Sequence, residues 1–279
     1  MRLSVLSSGS SGNATYIECG SGEPGVLVDA GLSARRLGRL LGTLGRGLGN
    51  VGTVLLTHGH GDHTSGVRSL VRHRGVEVLA APGVGEPFGA RVVSPGERVR
   101  LGRLEAAFFE VPHDAPTYGL QVSDGERAVA LATDLGEVRE GTVDWMSGAE
   151  ALVLEANHDS DWLWSGPYSR DLKRRVSSAN GHLSNRQAAE AALALAPYGL
   201  KDLVLAHLSK TNNSPARACG TARGLLRQAG HGGVRVRAAI AGHPTPWIEV
   251  GEPVESEVYV YRYGGGQRSG RAQPLFEVE

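Results

Sequence analysis

The hydrophobic positions in the first half of the chain fall mostly in short runs separated by glycine, serine and asparagine, a pattern typical of β-strands. Runs rich in Val, Ile and Leu predict strands over residues 2–6, 14–19, 25–28, 51–56, 76–81, 104–111, 118–122 and 128–132. Two stretches have helical spacing instead. The first follows the cap residue Ser33 and has one apolar face made of Leu37, Leu40, Leu41, Leu44 and Leu48. The second covers about residues 65–73.

The second half of the chain again places strands before helices. Strands are predicted over residues 151–154, 202–206, 234–240, 247–250 and 258–263, and a basic helix is predicted near residues 170–176. A capping box at 184–187 and the pair Ser214-Pro215 mark two further helix starts. This order in each half predicts an α+β fold, in which two mixed β-sheets stack face to face with helices on the outer faces.

The composition limits the classes of protein that the chain can belong to. No run of about 18 apolar residues occurs, which argues against a transmembrane helix. The apolar start is too short for a signal peptide, so we expect a cytoplasmic protein without a membrane partner. Cys19 and Cys219 lie far apart and outside any C-x-x-C spacing, so neither a disulfide framework nor a cysteine zinc site is predicted.

No linker rich in proline and glycine divides the first 250 residues. We therefore expect one domain over residues 1–250. Residues 251–279 are expected to form a C-terminal strand and tail packed on the same domain.

Charge is distributed unevenly along the chain. The whole chain of 279 residues has 29 Lys and Arg against 29 Asp and Glu, a balance that by itself argues against a polyanion partner. The net charge is −5 over residues 1–159, +8 over 160–237 and −3 over 238–279. The basic middle part therefore leaves a nucleic-acid partner open.

The most informative segment is Thr57-His58-Gly59-His60-Gly61-Asp62-His63, which directly follows a predicted buried strand. Three imidazoles and a carboxylate within six residues are costly to bury unless a cation holds them. In an irregular loop, alternate side chains can converge on one point while their neighbours converge on a second. A histidine-rich surface loop would not require a position after an apolar strand, so the segment predicts two adjacent metal ions.

The pattern T-H-x-H-x-D-H after a strand resembles the signature of the metallo-β-lactamase-fold hydrolases. The other elements of the family pattern have matches at the ends of predicted strands: Asp29, His113, Asp134 and His207. The resemblance covers about residues 1–250 and implies a four-layer αββα sandwich.

The resemblance also implies a role for each of these residues. One metal ion would be bound by His58, His60 and His113, and a second by Asp62, His63 and His207. Asp134 would bridge the two ions. Asp29 would support the motif histidines without binding metal itself.

Two further elements, L-E-A-N at 154–157 and G-H-L-S at 181–184, resemble those of the tRNA-maturation nucleases of this fold. There a glutamate-supported histidine protonates the leaving oxygen, which implies that His182 is a general acid and Glu155 its partner. A helix cap for His182 and a structural ion pair for Glu155 remain open. Neither cysteine falls in a motif, which argues against the common dizinc β-lactamases.

Longer segments resemble the bacterial YycJ-type subgroup, at residues 8–13, 112–115, 133–136, 155–159, 181–185 and 207–213. This resemblance implies a 5′ to 3′ exonuclease acting on double-stranded DNA. The interval between Asp134 and His207 is too short for the additional domain that β-CASP nucleases insert there.

The expected reaction is hydrolysis of a phosphodiester by a hydroxide that bridges two divalent metal ions, Zn or Mn with Fe as a further option. Asp62 and Asp134 belong to the expected catalytic centre with His182 and Glu155. A basic surface around Arg170–Lys210 is expected to bind phosphates. The residues expected to contact the substrate are Ser10, Asn13, Lys210, Asn212 and the neighbouring Asn213, although a plain tight turn explains residues 8–13 equally well.

Two other functions remain open at this point. An acyl hydrolase acting on a thioester or a lactone would share all of the metal ligands. A non-catalytic DNA-binding or signalling protein could retain the fold, but it would not need a bridging carboxylate.

Overall fold

Fourteen strands and eight α-helices make up the part of the chain that the computed structural model describes, residues 1–20 and 22–252. The strands are β1 (Arg2–Ser7), β2 (Ala14–Glu18), β3 (Gly25–Val28), β4 (Val51–Leu56), β5 (Glu77–Ala80), β6 (Arg91–Val92), β7 (Arg98–Leu101), β8 (Leu104–Val111), β9 (Thr117–Ser123), β10 (Ala128–Ala132), β11 (Ala151–Glu155), β12 (Asp202–Ala206), β13 (Arg235–Ala238) and β14 (Ile248–Glu249). The helices are α1 (Ala34–Thr43), α2 (Gly61–Thr64), α3 (Val67–Arg74), α4 (Glu140–Met146), α5 (Ser160–Ser165), α6 (Arg170–Val176), α7 (Asn185–Leu195) and α8 (Pro215–Gln228). Three short 3-10 turns lie at Leu48–Asn50, Glu86–Phe88 and Ala196–Tyr198.

The strands form two mixed sheets, as the sequence predicts, and each sheet has seven strands. The first sheet has the order β14-β1-β2-β3-β4-β5-β6 and the second has the order β13-β12-β11-β10-β9-β8-β7. In each sheet the pairing is antiparallel at one end and parallel at the other. The parallel strands β3, β4 and β5 of the first sheet and β10 to β13 of the second therefore end together at an edge of their sheet.

Alternation along the central strands assigns their side chains to two apolar cores. Val153 and Val204 belong to the core that also contains residues of the first sheet, such as Tyr16 and Leu27. Their neighbours belong to a second core shared with α4, α7 and α8, whose members include Leu152, Leu154, Leu203, Leu205, Ala188, Ala192 and Leu226. Because the central strands β11 and β12 are buried on both faces, the second sheet lies between the first sheet and a layer of helices.

Helix starts agree with the cap residues, whereas one helix is shorter than its leucine spacing predicts. The side chains of Ser33, Ser184 and Ser214 cap α1, α7 and α8. Helix α1 ends at Thr43, because Gly45 adopts a positive φ of 70° that turns the chain, and Leu48 therefore begins a 3-10 turn instead of extending the helical face.

Five elements lie where the sequence predicts no helix or strand: the edge strands β6 and β7 and the short helices α2, α4 and α5. The predicted strand over residues 258–263 and most of the predicted tail fall outside the described residues, so the division at residue 250 remains a prediction. None of the helices in the described ranges is both long and apolar enough to cross a membrane.

Candidate metal centre

Six of the predicted site residues follow the carboxyl end of a strand. Asp29 follows β3, and His58 lies two residues after β4. On the second sheet the corresponding residues are His113 after β8, Asp134 after β10, Glu155 at the end of β11 and His207 after β12. Parallel strands end at the same edge of a sheet, so this topology brings together residues that are far apart in sequence.

The sequence predicts an irregular loop for the histidine-rich motif, and this prediction is only partly correct. The second part of the motif forms one turn of helix, α2, with Asp62 and His63 in that turn. His58 and His63 are fully buried, whereas the His60 side chain is 45% exposed. From this turn, Asp62 Oδ2 lies 3.8 Å from His207 Nε2 and His63 Nε2 lies 3.2 Å from Asp134 Oδ2, so both residues lie next to the second sheet.

The donor atoms of these residues form overlapping groups whose members lie within 4.8 Å of one another. One group contains His58, His60 and His113, and another contains Asp62, His63 and His207. Asp134 forms a third group with one member of each, namely His58 and His63. Asp134 thus lies between the two triads, which the sequence predicts as separate metal sites.

The backbone is strained at three residues of this centre. Asp29, Asp134 and His207 have φ values of 60°, 58° and 53°, and no other non-glycine residue of the described ranges has a positive φ. Side chains other than glycine rarely adopt this left-handed region, and such strain is concentrated at functional sites. The strain turns each side chain into the cluster directly after its strand ends.

Three histidines of the cluster are oriented by a hydrogen bond from Nδ1, which leaves Nε2 to face the cluster. His63 Nδ1 donates to Asp29 Oδ2 at 2.7 Å, and His113 Nδ1 donates to the Gly181 carbonyl at 3.2 Å. His207 Nδ1 donates to Glu155 Oε1 at 2.7 Å. Partners of this kind set the tautomer and the orientation of metal-binding histidines.

Two buried polar atoms in the cluster make no hydrogen bond within the described ranges, Asp134 Oδ2 and His207 Nε2. Asp134 Oδ2 lies 3.2 Å from His63 Nε2, and His207 Nε2 lies 3.8 Å from Asp62 Oδ2. Buried polar atoms without partners are rare, and a bound cation would satisfy both of these. Imidazole and carboxylate donors in this arrangement fit divalent transition metals.

Burial and neighbouring charges shift the pKa values in the cluster in opposite directions. Burial and the neighbouring His63 lower the pKa of His58 to about 3, so its ring is neutral and able to bind a cation. Burial opposes protonation of His63 as well, but the carboxylates of Asp29 and Asp134 raise its pKa to about 10. A cation bound at His63 must therefore displace a proton.

The predicted general acid lies beside this cluster. His182 Nδ1 lies 2.9 Å from Glu155 Oε1 and 3.8 Å from Asp134 Oδ1. Burial disfavours protonation of His182, but the Glu155 carboxylate and its hydrogen bond raise the pKa of the imidazole above its ordinary value. The His182 side chain is 21% exposed, so a substrate can reach it.

Glu155 is more than a partner of His182. It is fully buried, and its Oε2 accepts hydrogen bonds from Leu135 N and Leu183 N, both at 3.1 Å. Its Oε1 is shared between His182 and His207. One carboxylate therefore sets the orientation of both histidines, a link that sequence reasoning missed because it depends on the adjacency of β11 and β12.

The residues predicted to contact a substrate lie in different environments. Ser10 and Lys210 are exposed. Asn13 is buried, and its Nδ2 lies 2.9 Å from His63 Nε2, so this residue is brought to the metal centre. Asn212 is only 1% exposed, and neither atom of its amide has a hydrogen-bond partner among the described residues.

The expectation that the Asn213 amide contacts phosphate is not supported by its surroundings. The amide is buried and donates to the Ala156 carbonyl at 2.8 Å and to Asn185 Oδ1 at 2.7 Å, while its Oδ1 accepts from Ser214 N. These bonds hold the starts of α7 and α8 to the end of β11, so the amide is occupied by the fold.

Four residues that the sequence analysis did not assign also contact the site. Ser8 Oγ accepts from His207 N at 2.7 Å, and Asn157 Nδ2 donates to the His207 carbonyl at 2.9 Å. Thr57 Oγ1 lies 3.0 Å from His58 Nδ1, and Asp114 Oδ1 lies 3.1 Å from His113 Nε2. Thr57 and Asp114 are sequence neighbours of the histidines they contact, whereas Ser8 and Asn157 lie far from His207 in sequence and only the fold brings them to it.

Comparison with known proteins agrees with this geometry. The family model described as "Beta-lactamase superfamily domain" matches residues 25–208. The exodeoxyribonuclease WalJ of Streptococcus pneumoniae is 34% identical over 242 residues, which cover 82% of this chain and 89% of WalJ. The exodeoxyribonuclease YycJ of Bacillus anthracis is 34% identical over 244 residues, which cover 83% of this chain and 91% of YycJ.

A solved structure shows the same architecture. The metallo-β-lactamase-fold protein YhfI of Bacillus subtilis superimposes with a TM-score of 0.68, covering 88% of this chain and 98% of YhfI at 18% sequence identity. At this identity the likeness concerns the fold. Together with the family match and the two relatives at 34% identity, it leads to one conclusion: the chain belongs to the metallo-β-lactamase superfamily.

Proposed function

We propose that the protein is a dimetal phosphodiesterase that acts as a 5′ to 3′ exonuclease on double-stranded DNA. The observation that carries this proposal is the hydrogen-bonded pair of His182 and Glu155 beside the metal cluster. Hydrolysis of a phosphodiester expels an alkoxide, which is a poor leaving group unless an acid protonates it. Hydrolysis of a thioester expels a better leaving group and has less need of a proton donor. A protonatable imidazole next to the cluster thus favours phosphodiester cleavage.

The proposed ligands are His58, His60 and His113 for one cation and Asp62, His63 and His207 for the other, with Asp134 contacting both. Bound divalent cations, Zn or Mn with Fe as a further option, would supply Lewis-acid activation of water and of the scissile phosphate. Asp29 keeps the His63 ring oriented through its 2.7 Å hydrogen bond.

In this proposal His182 transfers its proton from Nε2 to the leaving oxygen. Its Nδ1 is held by Glu155, so the ring keeps one tautomer and one orientation throughout the reaction. Glu155 acts as a positioning residue, since it is fully buried and cannot itself reach a substrate.

The nature of the substrate is supported by charge and by the relatives. Residues 160–237 have a net charge of +8, and part of this charge lies on α6, where Arg170, Arg174 and Arg175 are exposed. A local basic surface binds phosphates and releases counterions. Two relatives at 34% identity are named exodeoxyribonucleases, which supports DNA as the polyanion.

Digestion of duplexes labelled at the 5′ or the 3′ end, with Zn, Mn or Fe added in turn, tests the proposal. We expect successive release of nucleotides from 5′ ends. The His182→Ala variant is expected to lose about 10²- to 10⁴-fold in turnover while binding the same amount of metal.

The matched control is His231→Ala, which replaces a histidine that follows α8 and is not part of the cluster. This variant is expected to keep wild-type turnover. Cleavage of a generic thioester but of no duplex would contradict the proposal, as would unchanged nuclease turnover of His182→Ala.

A further inference from the structure

The segment between Glu155 and His182 leaves the site and returns to it. Its two ends are joined by the 2.9 Å hydrogen bond between these side chains. Near its start, Asp159 N donates to the Asn212 carbonyl, and His158 pairs with Ser184 in an isolated β-bridge. The segment contains α5 and the basic helix α6, so both helices are anchored at the proposed proton donor.

Helix α5 presents two tryptophans to the surface. Its inner face is held by Leu163, which is fully buried, and its first turn is capped by Asp159, whose side chain accepts from Trp162 N. Trp162 is 37% exposed and Trp164 is 52% exposed. Exposed tryptophans are uncommon, and tryptophan is enriched at surfaces that bind a partner.

The two tryptophans differ in what holds them. The Arg217 guanidinium lies 4.5 Å from the centre of the Trp162 ring and also donates to Asp159 Oδ2 at 2.8 Å. For the Trp164 indole, residues 1–20 and 22–252 provide no ring contact, no cation and no hydrogen bond. Lys173 Nζ of α6 donates to the Trp164 carbonyl at 2.8 Å, so a positive charge of α6 lies next to Trp164.

The indole also lies within reach of the site. Trp164 follows Glu155 by a short loop and five residues of helix, so the two Cα atoms are at most about 24 Å apart. At about 3.4 Å per nucleotide, a strand spans that distance with roughly seven nucleotides. A nucleic acid held at the metal centre can therefore extend across α5.

We propose that Trp164 stacks on an unpaired nucleobase of the DNA that enters the active site, beside phosphates bound by α6. This inference rests on the proposed nuclease function. Bases inside a duplex are covered on both faces, and only terminal or unpaired bases offer a free π-face to an indole. The enzyme should therefore prefer frayed or overhanging ends over blunt G·C-rich ends.

Binding in the absence of metal provides a test that does not depend on catalysis. Fluorescence anisotropy with labelled (dT)12, in buffer with a chelator, is expected to give about tenfold weaker binding for Trp164→Ala, within the five- to 150-fold range of base stacking. Trp164→Phe should keep most of the affinity. The control Tyr198→Ala replaces an aromatic residue that is 61% exposed and lies beyond the far end of α7, and it should bind like the wild type.

Salt dependence separates stacking from charge. Trp164→Ala should leave the slope of log K against log salt unchanged, because stacking releases no counterions. Arg174→Ala, on exposed α6, should reduce that slope by about one. Trp164→Ala should also abolish the preference for overhanging over blunt ends.

Three outcomes would overturn the inference without affecting the nuclease function: unchanged (dT)12 affinity of Trp164→Ala, a reduced salt slope in that variant, or an intact end preference. Any of them would assign the exposed indole to another partner, such as a protein. If the wild type cleaves no nucleic acid but Trp164→Ala weakens (dT)12 binding about tenfold, the proposed function is wrong and the stacking site is supported.

Discussion

At the scale of single residues, the centre depends on side chains that leave their strands in a strained conformation. Asp134 has a φ of 58°, is 3% exposed and lies between the two triads. Burial disfavours its charged form, but the surrounding histidines, chiefly His207 and His63, lower the pKa of the carboxyl well below its ordinary value. Each left-handed non-glycine residue costs of the order of 1–3 kcal/mol, so the fold gives up stability at this position for the placement of one carboxylate.

Asp134→Asn tests that role, because asparagine has the same shape and tolerates a positive φ. We expect the free energy of unfolding of the apoprotein to fall at neutral pH, because the charged carboxylate, whose pKa the surrounding histidines lower, stabilises the folded state. Metal content, measured by atomic spectrometry after dialysis, should fall from two ions per chain, and nuclease turnover should fall at least about 100-fold.

The corresponding control is Asp124→Asn in the turn before β10, at the opposite end of that strand. It should retain two ions. Two ions and full turnover in Asp134→Asn would contradict the bridging role.

At the scale of elements, a buried pair of amides holds the ends of three elements around the site. Asn185 begins α7, and Asn213 lies just before α8. Asn185 Nδ2 donates to Asn213 Oδ1 at 2.9 Å, and Asn213 Nδ2 donates back at 2.7 Å. Asn213 also bonds to the Ala156 carbonyl after β11. The pair therefore keeps the segment that contains His182 next to the strand ends.

A double-mutant cycle of Asn185→Ala and Asn213→Ala measures this contact. Each single variant should lower the free energy of unfolding by about 1–3 kcal/mol, because it leaves the other buried amide without its partner. The double variant should lose less than the sum of the two, since both amides are then absent. Urea denaturation gives the values.

Asn180→Ala, at an exposed position in the same segment, should stay within about 0.5 kcal/mol of the wild type. Strict additivity of the two buried substitutions would exclude coupling between the amides.

At the scale of the whole molecule, the cluster joins the two sheets. The motif histidines and Asp62 follow a strand of the first sheet, whereas His113, Asp134 and His207 follow strands of the second. Each proposed cation takes ligands from both sheets. Binding to the folded state alone stabilises a protein by about 2.7 kcal/mol at a free ligand concentration of 100 times Kd.

Removal of metal should therefore lower the melting temperature of the whole domain. For a chain of this size we expect a fall of about 5–10 °C on chelation, reversed by Zn or Mn, and a smaller shift in Asp134→Asn. Scanning calorimetry at fixed protein concentration measures both. An unchanged melting temperature of the wild type after verified metal loss would show that the cations do not couple the sheets.

The extent to which the sequence predicts this structure depends on the range of the interactions. Strand β4 and the caps at Ser33, Ser184 and Ser214 are predicted correctly, because periodicity and capping are local. The short helices α2, α4 and α5 and the edge strands β6 and β7 are missed. Each of them is short, and β6, for example, exposes both of its residues, so none has a strong apolar period.

The sequence by itself determined the donor chemistry, since the histidines, Asp62 and the strand-end carboxylates are recognisable from residue type and spacing. It also determined the division into two strand-then-helix halves. Only the tertiary structure decided that Glu155 holds both His182 and His207, that Asn213 binds Asn185, and that α5 exposes Trp164 next to α6. These contacts join residues tens of positions apart, and their partners follow from strand order and register, which no local pattern encodes.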